Sequence, residues 1–82
     1  MKYILKDDST NTILASFRKL EDAVRSYIAR QDANTKERRE GKTTHFLCVS
    51  ILHADGSRAD SEKINKIYDG IIRARLYANL VF

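Results

Sequence analysis

The most continuous apolar run in the chain spans residues 43–52 and reads Thr-Thr-His-Phe-Leu-Cys-Val-Ser-Ile-Leu. It is rich in β-branched and aromatic residues and far too short to cross a membrane, so it predicts a strand. Side chains on one face would be Leu47, Val49 and Ile51, and those on the other Phe46, Cys48 and Leu52. A strand that is apolar on both faces is typical of the centre of a sheet, with a neighbour along each edge and a cover on each face.

Two shorter strands are predicted before this run. Lys2 to Lys6 reads as a short strand with Tyr3 and Leu5 on one face and Ile4 on the other, and Thr12 to Phe17 has the pattern of a strand that returns beside it. Between them lie Asp7-Asp8-Ser9-Thr10-Asn11, whose side chains favour a turn. In the second strand the alternation places Ile13, Ala15 and Phe17 on one face. The two segments therefore predict an N-terminal hairpin.

Two helices are predicted from a change of period. The first follows Arg18 and runs to about Ala33, and the charged residues 36–42 then form an exposed connection in which Gly41 stops the helix. Its apolar side consists of Leu20, Ala23, Val24, Tyr27 and Ile28. The second follows an N-cap at Asp60, and its apolar side consists of Ile64, Ile67, Tyr68, Ile71 and Ala78. Residues 76–82 could extend this helix or form a late strand, and helix is favoured because no turn signal precedes them. An apolar end of this kind predicts a docked Phe82.

These elements predict a single α+β domain over residues 1–82 in the order β-β-α-β-α. A right-handed crossover gives a three-stranded antiparallel sheet in the spatial order second, first, third, with both helices on one face. The opposite face would remain uncovered and carry Ile4, Leu14, Phe46, Cys48 and Leu52. Small domains with such a face often self-associate, so we expect a homodimer through this face. The alternative is a modest apolar patch on a monomer.

The charge balance is basic, with 15 Lys and Arg against 11 Asp and Glu, a net charge of +4. This excess favours polyanionic partners. Cys48 is the only cysteine, which excludes an internal disulfide and suits a reducing compartment. The first residues lack the apolar stretch of a secretion signal, so we expect a cytoplasmic location without a membrane partner.

The sequence contains no catalytic or metal-binding signature. His45, Cys48 and His53 are the first candidates for a metal site, but strand parity points Cys48 away from both histidines. His45 lies beside Lys42 and Arg39 without an oriented carboxylate, and acid–base catalysis needs a positioned pair. Phosphate-binding loops and nucleophile elbows are also missing. We therefore expect a non-enzyme without a metal or other cofactor.

Clustered cations are the strongest functional clue in the sequence. The predicted nucleic-acid-binding residues are Arg30, Lys36, Arg38, Arg39, Lys42, Lys63, Lys66, Arg73 and Tyr77. The cations would contact phosphates, and the aromatic ring of Tyr77 would stack on an unpaired base. This combination favours sequence-tolerant, salt-dependent binding of RNA. The alternative is a solvated surface whose charge is balanced by Glu37, Glu40, Glu62 and Asp69.

In its length, basic charge, single cysteine and lack of catalytic motifs, the chain resembles the small accessory proteins of tailed phages. These include the TifA-like RNA-binding inhibitors of toxin–antitoxin ribonucleases. The resemblance covers composition and length and carries over no individual residue. It implies an anti-defence role in the host cytoplasm, acting on RNA or on an RNA-bound ribonuclease or toxin complex. The alternative function is a protein–protein inhibitor or adaptor that docks an acidic surface of a host protein or pairs through a sheet edge.

Overall fold

The computed structural model of the chain describes residues 2–80 and contains five elements. The strands are β1 (Tyr3–Asp7), β2 (Thr12–Phe17) and β3 (Val49–His53), and the helices are α1 (Leu20–Arg39) and α2 (Ser61–Leu80). The predicted α+β class and the β-β-α-β-α order are confirmed. The tail is helical as far as Leu80, as predicted, and the expected docking of Phe82 lies outside the described residues.

The sheet has the predicted order β2-β1-β3, and both pairings are antiparallel. The central strand is therefore β1, and β3 lies at an edge with β1 as its one partner strand among residues 2–80. The prediction that the run 43–52 has a neighbour along each edge is wrong. On the outer side of β3, Leu52 forms an isolated antiparallel bridge with Arg58, and this bridge partly occupies the open edge.

The predicted strand over residues 43–52 is also too long, because residues 43–48 have no regular secondary structure. Pairing between β1 and β3 ends at Asp7 and Val49, and the N–H of Asp8 donates one further hydrogen bond to the carbonyl of Cys48 over 2.8 Å. The chain then turns from Asp8 to Asn11 into β2, so no backbone remains for residues 43–47 to pair with. A strand-like composition cannot form a ladder without a partner strand.

A bulge in the N-terminal hairpin changes the face of one residue. Leu5 pairs with Ala15, but the next residue, Lys6, pairs with Ile13, so Leu14 is an extra residue on β2. Ile13 consequently lies on the face opposite Ala15 and is 61% exposed. The prediction that it shares a face with Ala15 and Phe17 is wrong, because strict alternation holds only where the ladder is regular.

The core lies between one face of the sheet and the helices. Leu5, Val24 and Ile28 are its largest fully buried side chains, and Ile51 and Ala59 complete it with Ala23. α1 packs across all three strands, and α2 packs against α1. The apolar side of α2 reaches the core through Ile64, Ile67, Tyr68 and Ile71, as predicted. Both helices therefore lie on the same side of the sheet, α1 against the strands and α2 against α1.

The open face of the sheet carries fewer of the predicted dimer residues than expected. Ile4 pairs directly with Leu52 there, and both are half-buried, as is Leu14 at the bulge. Phe46 and Cys48 precede β3 and are exposed in the irregular segment, so they do not belong to this ladder. Phe46 instead contacts α1, which lies on the other side of the sheet.

Candidate nucleic-acid interface

The last turn of α1 carries the first group of predicted cations. The helix ends at Arg39 rather than near Ala33, so Lys36, Arg38 and Arg39 are helical, and only Lys42 remains on a connection. Cations are favourable at this end, where the helix dipole is negative. Gly41 follows with φ +74°, which confirms it as the residue that ends the helix. We call Lys36, Arg38, Arg39 and Lys42 the α1-end cluster.

Acidic neighbours neutralise this cluster only in part. The Nζ of Lys42 lies 2.9 Å from Glu40 Oε2, and the Nζ of Lys36 lies 4.0 Å from Glu40 Oε1. Within residues 2–80, no carboxylate lies within ion-pair distance of Arg38 or Arg39. Four cations and the two carboxylates of Glu37 and Glu40 leave a net charge of +2 over residues 36–42. The charge-balanced alternative therefore describes the two lysines but not the two arginines.

Phe46 lies directly beside this cluster. The Cζ of Arg38 is 4.1 Å from the centroid of the Phe46 ring, which is the geometry of a cation–π contact. Phe46 is nevertheless 71% exposed. The sequence pattern predicts Phe46 on a face of the sheet, because the predicted strand includes residue 46.

Asn34 holds the segment around Phe46 against α1. Its Nδ2 donates to the carbonyl of His45 over 3.0 Å, and its Oδ1 accepts from the N–H of Leu47 over 3.2 Å. The same Oδ1 accepts from Arg38 Nε over 3.3 Å. One side chain thus binds the backbone on both sides of Phe46 and also orients Arg38. Sequence reasoning missed Asn34; its position four residues before Arg38, on the same side of a helix, was the available signal.

The second group of predicted residues lies along α2. Lys63, Lys66, Arg73 and Tyr77 are all exposed, and Tyr77 is 73% exposed. Lys66 lines a groove between the helices together with Arg25 from the first half of α1. Arg25 and Arg38 are thirteen positions apart, or about 20 Å along the helix axis. The structure therefore does not join Lys66 and the α1-end cluster into one continuous surface.

The remaining arginines of α1 and α2 are less available. Arg25 pairs with Glu21, and Arg75 pairs with Asp32, each over 2.9 Å. Arg30 is half-buried, and its Nε is buried with no hydrogen-bond partner within the described chain. Among the predicted residues, Arg38 combines contact with an exposed aromatic ring and the absence of an ion pair within residues 2–80. Arg39 beside it in the chain, and Lys63, Lys66 and Arg73 on α2, also form no ion pair there.

The candidate metal and acid–base residues do not converge. His45 and Cys48 are exposed, whereas the His53 ring lies 5.5 Å from that of Tyr3, centroid to centroid. In residues 2–80, no group of three His, Cys, Asp or Glu side chains is arranged to hold a metal ion. Hydrogen bonds from Ser57 lower the pKa of the Asp55 carboxyl, which accepts them in a turn. This carboxylate is a structural acceptor rather than a poised base.

Comparisons with protein families, with curated proteins and with solved structures find no match to the chain. Within the described part of the chain, neither helix combines the length and apolarity that a membrane crossing requires.

Proposed function

We propose that this chain is a small basic RNA-binding protein without catalytic activity, and that it contacts RNA through the α1-end cluster. The observation that carries the proposal is the pair of exposed or half-buried arginines, Arg38 and Arg39, without a carboxylate in ion-pair range among residues 2–80. Guanidinium groups without a carboxylate partner are suited to bind phosphate oxygens, since they present several hydrogen-bond donors at fixed angles. Binding through phosphates is sequence-tolerant and weakens as salt rises.

The cations of α2 extend the proposal as a second contact region. Lys63, Lys66 and Arg73 are exposed and would meet the backbone of an RNA long enough to reach both helices. Their removal should weaken binding of long RNA more than binding of a short oligonucleotide. The α1-end cluster, by contrast, should contribute to both.

The resemblance to phage accessory proteins supports a biological role for this binding. The protein would act in the host cytoplasm as an anti-defence factor, with a host toxin–antitoxin or defence ribonuclease as the target and RNA as the bridge. A homodimer through Ile4, Leu14 and Leu52 belongs to the same proposal. Their half-buried state leaves apolar area on the open face of the sheet for a second copy.

The salt dependence of RNA binding tests the proposal. Retention of a labelled oligoribonucleotide would be measured across a salt series for the wild type and for Arg38→Ala/Arg39→Ala. Loss of two phosphate contacts should lower the slope of log affinity against log salt by about 1.4. The matched control is Arg18→Ala/Lys19→Ala, which removes the same charge from two exposed residues at the other end of α1. The proposal would be contradicted if RNA retention by the wild type did not change with salt, or if the two double variants lost RNA retention equally.

A second candidate function is a protein–protein inhibitor or adaptor that docks an acidic host surface. The second half of α2 favours it, because Leu76 and Tyr77 are 58% and 73% exposed beside Arg73 and Arg75. Apolar anchors with flanking cations are typical of protein interfaces. A pull-down from host extract treated with ribonuclease separates the two functions: a partner retained without RNA supports the adaptor, and a partner lost with RNA supports the RNA-binding protein.

A further inference from the structure

Phe46 is an aromatic side chain that the fold holds in solvent. It is 71% exposed, although a ring of this size normally lies in a core or an interface. It is not exposed through looseness of the segment, because Asn34 binds the backbone of both His45 and Leu47. A fixed, exposed ring loses little conformational entropy when a flat partner covers it.

Arg38 restricts where such a partner can lie. Its guanidinium occupies one face of the Phe46 ring, at 4.1 Å from the centroid. Most of the exposed area of Phe46 therefore belongs to the opposite face and the ring edges. A planar group placed on that face would continue a stack of guanidinium, phenyl ring and ligand.

Further positive charge lies at the end of α1 that carries Arg38. Lys36, Arg39 and Lys42 belong to the same end of α1 and are exposed. Phosphates flanking a stacked base would therefore find donors close by. In the part of the chain whose side chains are described, residues 2–79, the other large apolar side chains that are more than half exposed are Ile13, Leu76 and Tyr77, and each belongs to a different element from Phe46.

From these observations we infer that Phe46, supported by Arg38 and positioned by Asn34, is a stacking platform for an unpaired base of single-stranded RNA. The inference rests on the proposed function and narrows it to a substrate class. Bases in a duplex are already stacked on their neighbours, so the platform selects single strands, loops and ends. Any base has a π-face, so the selectivity is for the single-stranded state and not for a sequence.

A direct test of contact uses Phe46→Trp. The chain contains no tryptophan, so the introduced indole is the only one in the protein. Titration with a single-stranded oligoribonucleotide should quench its fluorescence, whereas the same RNA annealed to its complement should quench it much less. The matched control is Ala54→Trp, which places an indole at an exposed position in the turn after β3, at the other end of that strand from Phe46, and should respond to neither.

Affinities measured by anisotropy complete the test. Phe46→Ala should weaken single-strand binding about 5- to 100-fold, while Phe46→Tyr stays near wild type and Phe46→Leu resembles alanine. The salt slope should not change, since phosphate contacts are retained. Ala54→Ser, in the exposed turn after β3, should have no effect. Thermal unfolding of each variant shows that the fold persists.

The outcomes distinguish this inference from the proposed function. If the wild type does not bind RNA in a salt-dependent way, the proposed function itself fails. If it binds, but Phe46→Ala retains wild-type affinity and the indole is not quenched, only the stacking platform is wrong. Loss in Tyr77→Ala with none in Phe46→Ala would move the platform to α2 and overturn the inference. Equal losses for single strand and duplex would also overturn it.

Discussion

The two halves of α1 lie in opposite surroundings. In the first half, Ala23, Val24 and Ile28 are buried against the sheet. In the second half the last turn carries three cations and no buried residue. Most of the stability of a helix in a protein comes from packing of its apolar face rather than from helix propensity, so the buried half supplies the stability that allows the charged half to stay helical. One continuous helix thus connects the core to the candidate site.

Because of this difference, substitutions in α1 and its neighbours should change either the free energy of unfolding or the RNA affinity, depending on which half they affect. Substitutions around the buried half should change the free energy of unfolding and leave the RNA affinity of folded molecules unchanged. Substitutions around the charged half should do the reverse. Apart from Asn34, which lies between the buried residues and the last turn, a residue that changes both to a similar extent would show that the two regions are not separable.

The largest effect is expected for Leu5→Ala. Leu5 is fully buried on the central strand, between Ala15 and Ile51, so its truncation removes apolar contacts and leaves a cavity. The free energy of unfolding should fall by about 2–5 kcal/mol in urea denaturation followed by circular dichroism. For a chain of this size that is a large share of the total stability.

Leu76→Ala is the matched control, because Leu76 is 58% exposed and its truncation should change stability by less than about 0.5 kcal/mol. In Leu5→Ala, RNA affinity corrected for the folded fraction should equal that of the wild type. A similar loss of stability in both variants would contradict the assigned core.

An intermediate effect is expected for Asn34→Ala, at the junction of the two halves. The change frees the backbone on both sides of Phe46, so RNA affinity should fall most of the way to that of Phe46→Ala. Stability should change by only about 1 kcal/mol, since the lost hydrogen bonds are partly offset by the better helix propensity of alanine.

A double-mutant cycle isolates this positioning role. If Asn34 acts through Phe46, the double variant Asn34→Ala/Phe46→Ala should bind RNA no more weakly than Phe46→Ala alone. Asn65→Ala, at an exposed asparagine of α2, serves as the control. Additive losses would mean that Asn34 contacts RNA itself or supports a different part of the site.

The fold was largely predictable because most helices and strands have a clear apolar periodicity and are bounded by turn-forming residues. The limits of β2 and the N-cap at Asp60 follow from local chemistry; the Oδ1 of Asp60 accepts from the N–H groups of Glu62 and Lys63 over 3.0 and 3.4 Å. The far end of α1 was missed because its apolar period stops near Ala33. The helix continues on propensity, through good helix formers such as Lys36, Glu37 and Arg38.

The candidate site was predictable only in its charges. The cations near Gly41 are visible in the sequence, but the role of Phe46 depends on the partner of residues 43–48. The pattern there predicts a strand. In the structure, however, the backbone groups of His45 and Leu47 are hydrogen-bonded to one side chain of α1, that of Asn34. Such a long-range contact has no local signature, because Asn34 is thirteen residues from Leu47.

The smallest effect is expected for Glu40→Gln, which sharpens the comparison within the charged half itself. Glu40 is the carboxylate that pairs with Lys42 and Lys36, so its neutralisation raises the net charge of residues 36–42 from +2 to +3. For a phosphate about 7 Å away, removal of this repulsion is worth about 0.3 kcal/mol at physiological salt, or roughly a twofold gain in RNA affinity. Asp22→Asn, in the first turn of α1, is the control that removes one negative charge about 27 Å along the helix from Glu40. The gain should disappear in high salt, and it should also be absent when Arg38 and Arg39 are both replaced by alanine, since the phosphate would then no longer be held beside residue 40. A gain that persists in both conditions would mean that Glu40 acts on the shape of the helix end and not on the charge that RNA meets there.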